Sequence, residues 1–209
     1  MSAPVGKILE FIPKQPAKFG FERVKKRRKS TGDQRGQLNL FAASGSAHVL
    51  RLPTDISLFE EALLLDERND HRAEDAYMRA IEEGADVADA YCNLGILKSK
   101  QGLTALAFDC FTKSLERDPR HAESHFNLGN LYFEEGDVRL ARMHYELAAK
   151  VEPDFPSVYF NLGLVDAISN DFHSALLALK KYKSLASKEE ASNADDLMEN
   201  LQRSLSGQR

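Results

Sequence analysis

Two histidines four residues apart, His121 and His125, have the spacing best suited to metal chemistry in this chain. On one face of a helix such a pair can ligate a transition metal, but a catalytic site needs three convergent protein ligands. No cysteine pair or nearby carboxylate completes the set. Glycine-rich phosphate loops and nucleophile elbows are also missing from the sequence. We therefore predict no catalytic residue, no metal site, no cofactor and no small-molecule substrate.

A second chemical feature is a dense basic run at residues 24–29, Val-Lys-Lys-Arg-Arg-Lys. It lies in a segment, residues 1–53, that carries eleven Lys and Arg against three Asp and Glu, whereas the remainder carries seventeen against twenty-nine. Such a run can contact phosphates, act as an import signal in a nucleated cell, or keep a tail solvated. Nonspecific electrostatics is the favoured interpretation. The candidate phosphate contacts are Lys25, Lys26, Arg27, Arg28 and Lys29.

Downstream of the basic run comes the string Gln37-Leu38-Asn39-Leu40-Phe41. It resembles the Gln-Leu-x-Leu-Phe motif with which bacterial replication and repair proteins dock on the DNA sliding clamp. The resemblance implies polar contacts by Gln37 and insertion of Leu40 and Phe41 into an apolar pocket, with Leu38 as the remaining fixed position. Alternatively, the string packs against the first repeat of the chain or fills the protein's own groove. Residues 1–53 are otherwise rich in Pro, Gly, Ser and basic residues, which predicts a largely disordered tail.

The rest of the chain repeats itself every 34 residues. Asn-Leu-Gly recurs at 93–95, 127–129 and 161–163, followed by a small residue and then a large one at the same intervals. Gly102 and Gly136 mark inner turns, and Pro119 and Pro153 end two repeats. The glycine and the small residue allow two helices to approach closely, and the large residue fills the next gap. The small and large positions are Ala73, Ala107, Ala141 and Ala175, then Tyr77, Phe111, Tyr145 and Leu179.

This pattern resembles the tetratricopeptide repeat family over residues 54–189. The resemblance implies an all-α fold, a right-handed superhelix of four helix–turn–helix repeats at 54–87, 88–121, 122–155 and 156–189. The first repeat departs from the pattern, with Glu60-Glu61-Ala62 in place of Leu-Gly, so its first helix is expected to be offset by one residue. Leu197, Leu201 and Leu205 recur every four residues and predict a capping helix at 191–205, within a final region at 190–209. His125 falls in an aromatic position and should be packed.

The family resemblance also implies a concave groove lined by the first helix of each repeat. Cys92 is expected to face this groove, and Leu58 and Phe59 are expected to extend the row into the first repeat. Asn93, Asn127 and Asn161 resemble the asparagine ladder of some family members, in which side-chain amides hold the backbone of an extended peptide. The alternative is that asparagine is tolerated at a solvated helix position. The predicted groove residues are Asn93, Ile96, Phe126, Asn127, Asn130, Phe133, Phe160, Asn161 and Leu164.

The groove is expected to accept an extended peptide with apolar side chains and a basic one. Other family grooves hold a C-terminal carboxylate with Lys and Arg, but here the comparable positions are apolar or amide, with Asp89 and Glu123 nearby. Chaperone-tail recognition is therefore disfavoured. No run of 18 apolar residues is present, which predicts no membrane span. The two cysteines, Cys92 and Cys110, fall in predicted helices and suit a reducing cytoplasm better than a disulfide.

Two classes of function follow. The first is a cytoplasmic, non-catalytic adaptor that holds a protein partner's peptide in its groove. The second is a factor tethered to a sliding clamp or to nucleic acid through residues 24–41. A third, intramolecular arrangement places the basic tail over the acidic repeats and blocks them. In that case deletion of residues 1–50 should raise partner affinity, most strongly at low salt.

Overall fold

A computed structural model of the chain describes residues 19–25 and 56–206. All regular secondary structure in these residues is helical, as predicted, and no helix among them is long and apolar enough to cross a membrane. The helices are α1 (Leu58–Glu67), α2 (Ala73–Glu82), α3 (Val87–Lys100), α4 (Thr104–Arg117), α5 (Ala122–Glu134), α6 (Val138–Val151), α7 (Pro156–Ile168), α8 (Phe172–Leu185), α9 (Lys188–Ala191) and α10 (Asp195–Ser206). A 3-10 turn, Ser192–Ala194, joins the last two.

Helices α1 to α8 pack as four consecutive antiparallel pairs, and each pair also contacts the next. We call these eight helices the array. The turn inside each pair contains one residue in the left-handed region: Gly102 has φ 75° and Gly136 has φ 81°, as expected for glycine, while Asn69 and Asn170 have φ 53° and 62°. Asparagine tolerates this conformation better than most residues, so the outer pairs make the same turn without glycine.

The helical glycines lie directly under a large side chain of the paired helix. A Cβ on Gly129 would lie 2.5 Å from Cε1 of Tyr145, and a Cβ on Gly95 would lie 2.7 Å from Cε1 of Phe111. The interval between glycine and aromatic residue is therefore a packing requirement. In α1 the corresponding small residue is Ala62, which is fully buried. The turn residue Asn69 lies 33 rather than 34 residues before Gly102, so α1 has the one-residue offset expected from the sequence.

The C-terminal helix α10 closes the array against α8. Leu197 and Leu201 are buried in one cluster with Leu179 and Tyr182, and Leu205 packs against the same cluster. The predicted capping helix is thus confirmed, although it begins at Asp195 and is preceded by the short α9. Directly after α8, Ser187 caps α9, since its side-chain oxygen accepts a hydrogen bond from the Glu190 amide.

Candidate functional site

Residues 19–25, here called the groove segment, lie against the first helices of the array. The segment has no regular secondary structure and runs opposite to the order of the repeats, with Phe19 beside α7 and Val24 beside α3. Val24 is fully buried. The sequence predicted a largely disordered tail over residues 1–53. Residues 19–25 are an ordered part of it, because contacts with six helices, α1, α3, α4, α5, α7 and α8, hold them.

Three asparagines, Asn93, Asn127 and Asn161, form a ladder along the groove segment. Each side-chain oxygen accepts the N–H of one residue, and each side-chain nitrogen donates to the carbonyl of the same residue. For Asn127 and Glu22 these distances are 2.9 and 3.0 Å, and for Asn93 and Val24 they are 2.9 and 3.1 Å. For Asn161 and Phe19 they are 3.2 and 3.3 Å. The amide group matches a peptide unit because it carries one acceptor and donors on the same rigid plane.

A fourth asparagine, Asn130, links the ladder to the core of the array. Its nitrogen donates to the Gly20 carbonyl at 3.2 Å. Its oxygen accepts from the Tyr145 hydroxyl at 2.7 Å and from the Asn161 nitrogen at 2.9 Å. Buried partners in the array therefore orient Asn130 and Asn161, and this fixes the direction of the amide groups that bind the groove segment.

Two aromatic side chains of the groove segment pack on rings of the array. The Phe19 ring lies 5.0 Å from that of Phe160 in an edge-on arrangement and 5.6 Å from that of Tyr182. The Phe21 ring stacks on Phe111 at 6.1 Å with an interplanar angle of 16°. Aromatic pairs at these separations and angles are favourable beyond the area they bury.

The segment's arginine makes an ion pair at the far end of the groove. Nη2 of Arg23 donates to Oδ1 of Asp66 at 2.6 Å, and Oδ2 of Asp66 accepts from the Tyr77 hydroxyl at 3.3 Å. The Asp66 side chain is only 1% exposed. Burial raises the pKa of this carboxyl above its ordinary value, and the positive charges of Arg23 and Lys100 oppose the increase. A cation at the Arg23 position therefore compensates a carboxylate that has lost its water.

A further polar contact fixes the middle of the segment. Oε1 of Glu22 accepts from the Ser157 hydroxyl at 2.9 Å, at the start of α7. Lys25, a candidate phosphate contact, is exposed. The other candidates in the basic run, Lys26 to Lys29, and the string Gln37, Leu38, Leu40 and Phe41 lie outside the described residues.

The predicted groove residues fall into two groups in the structure. Asn93, Asn127, Asn130, Phe160 and Asn161 contact the groove segment through the bonds and rings given above. The apolar members lie deeper or to the side: Ile96, Phe126 and Leu164 are buried in the array, and Phe133 is half-buried. The Phe126 ring packs on Tyr145 at 5.7 Å and on Phe155 at 5.0 Å, so it supports the helices.

The sequence predicted that the row of groove residues extends into the first repeat, but Phe59 does not face the groove. Phe59 packs in the core, 6.1 Å from the Tyr77 ring, because the offset of α1 turns it inward. The same offset places Glu60 at the ladder position, 33 residues before Asn93, where it forms a capping box with Ser57. Asp66, which was not among the predicted groove residues, supplies the groove contact of α1. A lone acidic residue on the apolar side of Leu58–Glu67 was the available signal.

The histidines considered as metal ligands have hydrogen-bonding roles in the array. His121 caps α5, since its Nδ1 accepts from the Ser124 amide at 3.1 Å while its Nε2 lies 2.8 Å from Oδ1 of Asp89. His125 is buried against His144, as its aromatic position predicted. Over residues 19–25 and 56–206, no group of three or more His, Cys, Asp or Glu side chains is placed to hold a metal ion. Cys92 and Cys110 are free and buried.

Sequence models described as tetratricopeptide repeat match residues 86–151 and 126–190, which together span half of the chain. The chain belongs to the tetratricopeptide repeat family. Among solved structures, this tetratricopeptide repeat protein is similar to the first TPR of Spaghetti (RPAP3) bound to HSP90 peptide SRMEEVD. The two share 20% sequence identity with a TM-score of 0.53, and the match covers 57% of this chain and 93% of that chain. No curated protein matches the sequence.

Proposed function

We propose that this tetratricopeptide repeat protein is a non-catalytic interaction scaffold that binds an extended peptide of a protein partner along the first helices of its array. One observation carries the proposal: Asn93, Asn127 and Asn161 each pair with both the N–H and the carbonyl of a single residue of the groove segment. These bonds go to backbone groups that every peptide has, so another extended segment can make them too.

The solved relative supports the same kind of function, since it is described as bound to a peptide. The charge requirements of this groove differ from those of a ligand such as SRMEEVD. Here the buried carboxylate of Asp66 takes a cation, and amide groups occupy the positions that face the backbone. An internal extended segment therefore fits this groove better than an acidic C-terminal one.

The groove segment competes with any partner, because both need the same asparagine ladder. Removing the segment should therefore raise partner affinity. The ladder bonds join neutral groups, and the one charged contact, Arg23 with Asp66, is largely buried. Salt should therefore change this competition less than it would change the binding of a basic tail held over the acidic array by charge alone.

The test uses the whole chain, cut once. A specific protease site is inserted between residues 30 and 36. After cleavage the N-terminal piece is held only by its contacts with the array, so an added peptide can replace the groove segment. A fluorescently labelled peptide of residues 17–27, Ala-Lys-Phe-Gly-Phe-Glu-Arg-Val-Lys-Lys-Arg, is then titrated and its anisotropy measured. We expect saturable binding.

The decisive variant is Asn93→Ala/Asn127→Ala in the cut protein. Each asparagine makes two backbone bonds, each worth about 1 kcal/mol net, so each alanine should weaken binding by roughly thirtyfold. Asn200→Ala, which changes an exposed asparagine on α10, is the matched control and should bind like the parent. Absence of saturable binding to the cut parent, or equal binding by the double variant, would refute the proposal.

A second candidate function rests on the string at residues 37–41, whose resemblance to the clamp-docking motif favours a factor tethered to a bacterial sliding clamp. Titration of a purified clamp with a peptide of residues 33–45 tests it. The peptide should bind, and Leu40→Ala/Phe41→Ala should abolish binding. If the unmodified peptide fails to bind, the tether hypothesis is lost while the groove proposal stands.

A further inference from the structure

The ladder bonds explain affinity for an extended chain but cannot tell one sequence from another, because they involve only backbone groups. Selection must come from contacts made by side chains of the bound segment. Besides the hydrogen bond of Glu22 with Ser157 and the burial of Val24, the structure shows three such contacts in series: an aromatic site at α7 and α8, a second at α4, and a buried carboxylate on α1. Their occupants are Phe19, Phe21 and Arg23, which are alternate residues of an extended chain.

We propose that the groove selects partner segments with the pattern aromatic–x–aromatic–x–arginine–aliphatic, which compete with residues 19–25 for the same site. This inference rests on the proposed function. The groove segment is then an internal copy of the motif that the groove reads in a partner.

The first aromatic site is the most enclosed. Phe160 and Tyr182 present rings to Phe19 from two different helices, and those rings are themselves 5.2 Å apart. Phe19 also packs against two of the array's buried clusters. A small side chain at this position would leave the two rings without their third partner.

The second aromatic site and the aliphatic site belong to one cluster. Phe21 packs against the cluster that contains Phe111, Ile96 and the fully buried Val24. Asn93 binds both the N–H and the carbonyl of Val24, so the backbone at this position cannot move away from the cluster without breaking the ladder. A side chain larger than valine would require such a movement.

The arginine site reads charge. Asp66 is buried, and its two oxygens accept from Arg23 and Tyr77. A neutral or acidic residue in place of arginine would leave the carboxylate buried without its cation, which is strongly unfavourable. The order of the sites along the array also imposes a direction, since the aromatic end must lie at α7 and the arginine at α1.

The position of Gly20 supplies a matched control within the ligand. A Cβ added to Gly20 would meet nothing within 4 Å, so alanine should be accepted there. Lys25 is exposed and should also tolerate substitution.

The experiment titrates the cut protein described above with variants of the labelled peptide of residues 17–27. We expect Phe19→Ala, Phe21→Ala and Arg23→Gln each to weaken binding at least tenfold, and Gly20→Ala and Lys25→Gln to change it less than twofold. A peptide with a different sequence but the same pattern, Tyr-Ser-Tyr-Gln-Arg-Val in place of residues 19–24, should bind within tenfold of the parent peptide.

The Asp66→Asn protein tests the arginine site separately. In it the parent and Arg23→Gln peptides should bind with similar affinities, whereas Asp75→Asn, an exposed aspartate of α2, should leave the preference for arginine intact. If all peptides bind the cut parent protein within threefold of one another, the selectivity is wrong although peptide binding stands. If even the parent peptide does not bind, the proposed function itself fails. Even if the Asp66→Asn protein does not fold, the Phe19→Ala and Phe21→Ala peptides still test whether the groove selects side chains.

Discussion

The guanidinium of Arg23 and the carboxylate of Asp66 meet at 2.6 Å across 43 positions of sequence. This contact joins the groove segment to the first helix of the array, and the carboxylate it neutralises is almost fully buried. It is therefore a tertiary contact of the folded chain as well as a ligand contact.

We expect Arg23→Gln in the uncut chain to lower the free energy of unfolding by about 1–3 kcal/mol, because it leaves a buried carboxylate without its cation. The measurement is urea denaturation followed by circular dichroism. Arg79→Gln is the matched control, because the ion pair between Arg79 and Glu61 is about half exposed and should contribute less than about 1 kcal/mol. Equal losses in the two variants would show that the Asp66 site has no special dependence on arginine.

Amide hydrogen exchange should detect the ladder directly. The backbone N–H groups of Phe19, Glu22 and Val24 donate to Asn161, Asn127 and Asn93, so they should exchange slowly. Asn127→Ala should accelerate exchange at Glu22 by roughly tenfold, the factor that corresponds to about 1.4 kcal/mol of lost protection. Asn200→Ala should not. Fast exchange at all three amides in the unmodified chain would contradict the binding of the groove segment to the asparagine ladder.

The sequence predicted the array well for a physical reason. In each repeat the two helices pack in the same way, as α3 does on α4 and α5 on α6. Glycine, alanine and an aromatic residue therefore recur at the same spacing in the sequence. The asparagines were placed on one face by the same periodicity. Both inferences depend on local spacing, which a single sequence displays.

The groove segment could not be found in this way, because its bonds join residues 43 to 142 positions apart and follow no period. Phe19 and Phe21 stand in a basic, glycine-containing context that is typical of a disordered tail. Asp66 was missed because the first repeat is out of register with the others, so its α1 residues could not be compared directly with those of α3 and α5. The position of residues 19–25 depends on contacts with distant parts of the folded chain, which local sequence spacing does not reveal.

Gly129→Ala should destabilise the protein despite the better helix propensity of alanine. The new Cβ would lie 2.5 Å from Cε1 of Tyr145, and moving that ring would also break the bond between its hydroxyl and Asn130. We expect a net loss of about 1–3 kcal/mol, measured by chemical denaturation. In a Tyr145→Ala background the same substitution should be neutral or stabilising, since helix propensity alone favours alanine by about 1 kcal/mol. Gly20→Ala, which meets nothing, is the control; a neutral Gly129→Ala would contradict the close approach.

Asp166 on α7 should make stability depend on pH between about 4 and 6. Its side chain is 6% exposed, and burial raises its pKa to about 6 although Nε of Arg142 lies 3.3 Å from Oδ1. Since the folded protein binds this proton more tightly than the unfolded chain, the contribution to stability is fully present below pH 3.8 and is lost as the pH rises through about 6.

Asp166→Asn removes that titration. The variant should therefore be more stable than the parent at pH 7, by up to about 3 kcal/mol, because folding raises the pKa of the Asp166 carboxyl from 3.8 to about 6. The difference should shrink toward pH 4. Thermal unfolding measured at pH 4, 5, 6 and 7 provides the comparison, with the exposed Asp196→Asn as control. Parallel pH curves for the parent and the variant would show that Arg142 fully compensates the buried charge, because in that case the Asp166 carboxyl would titrate alike in the folded and unfolded chains.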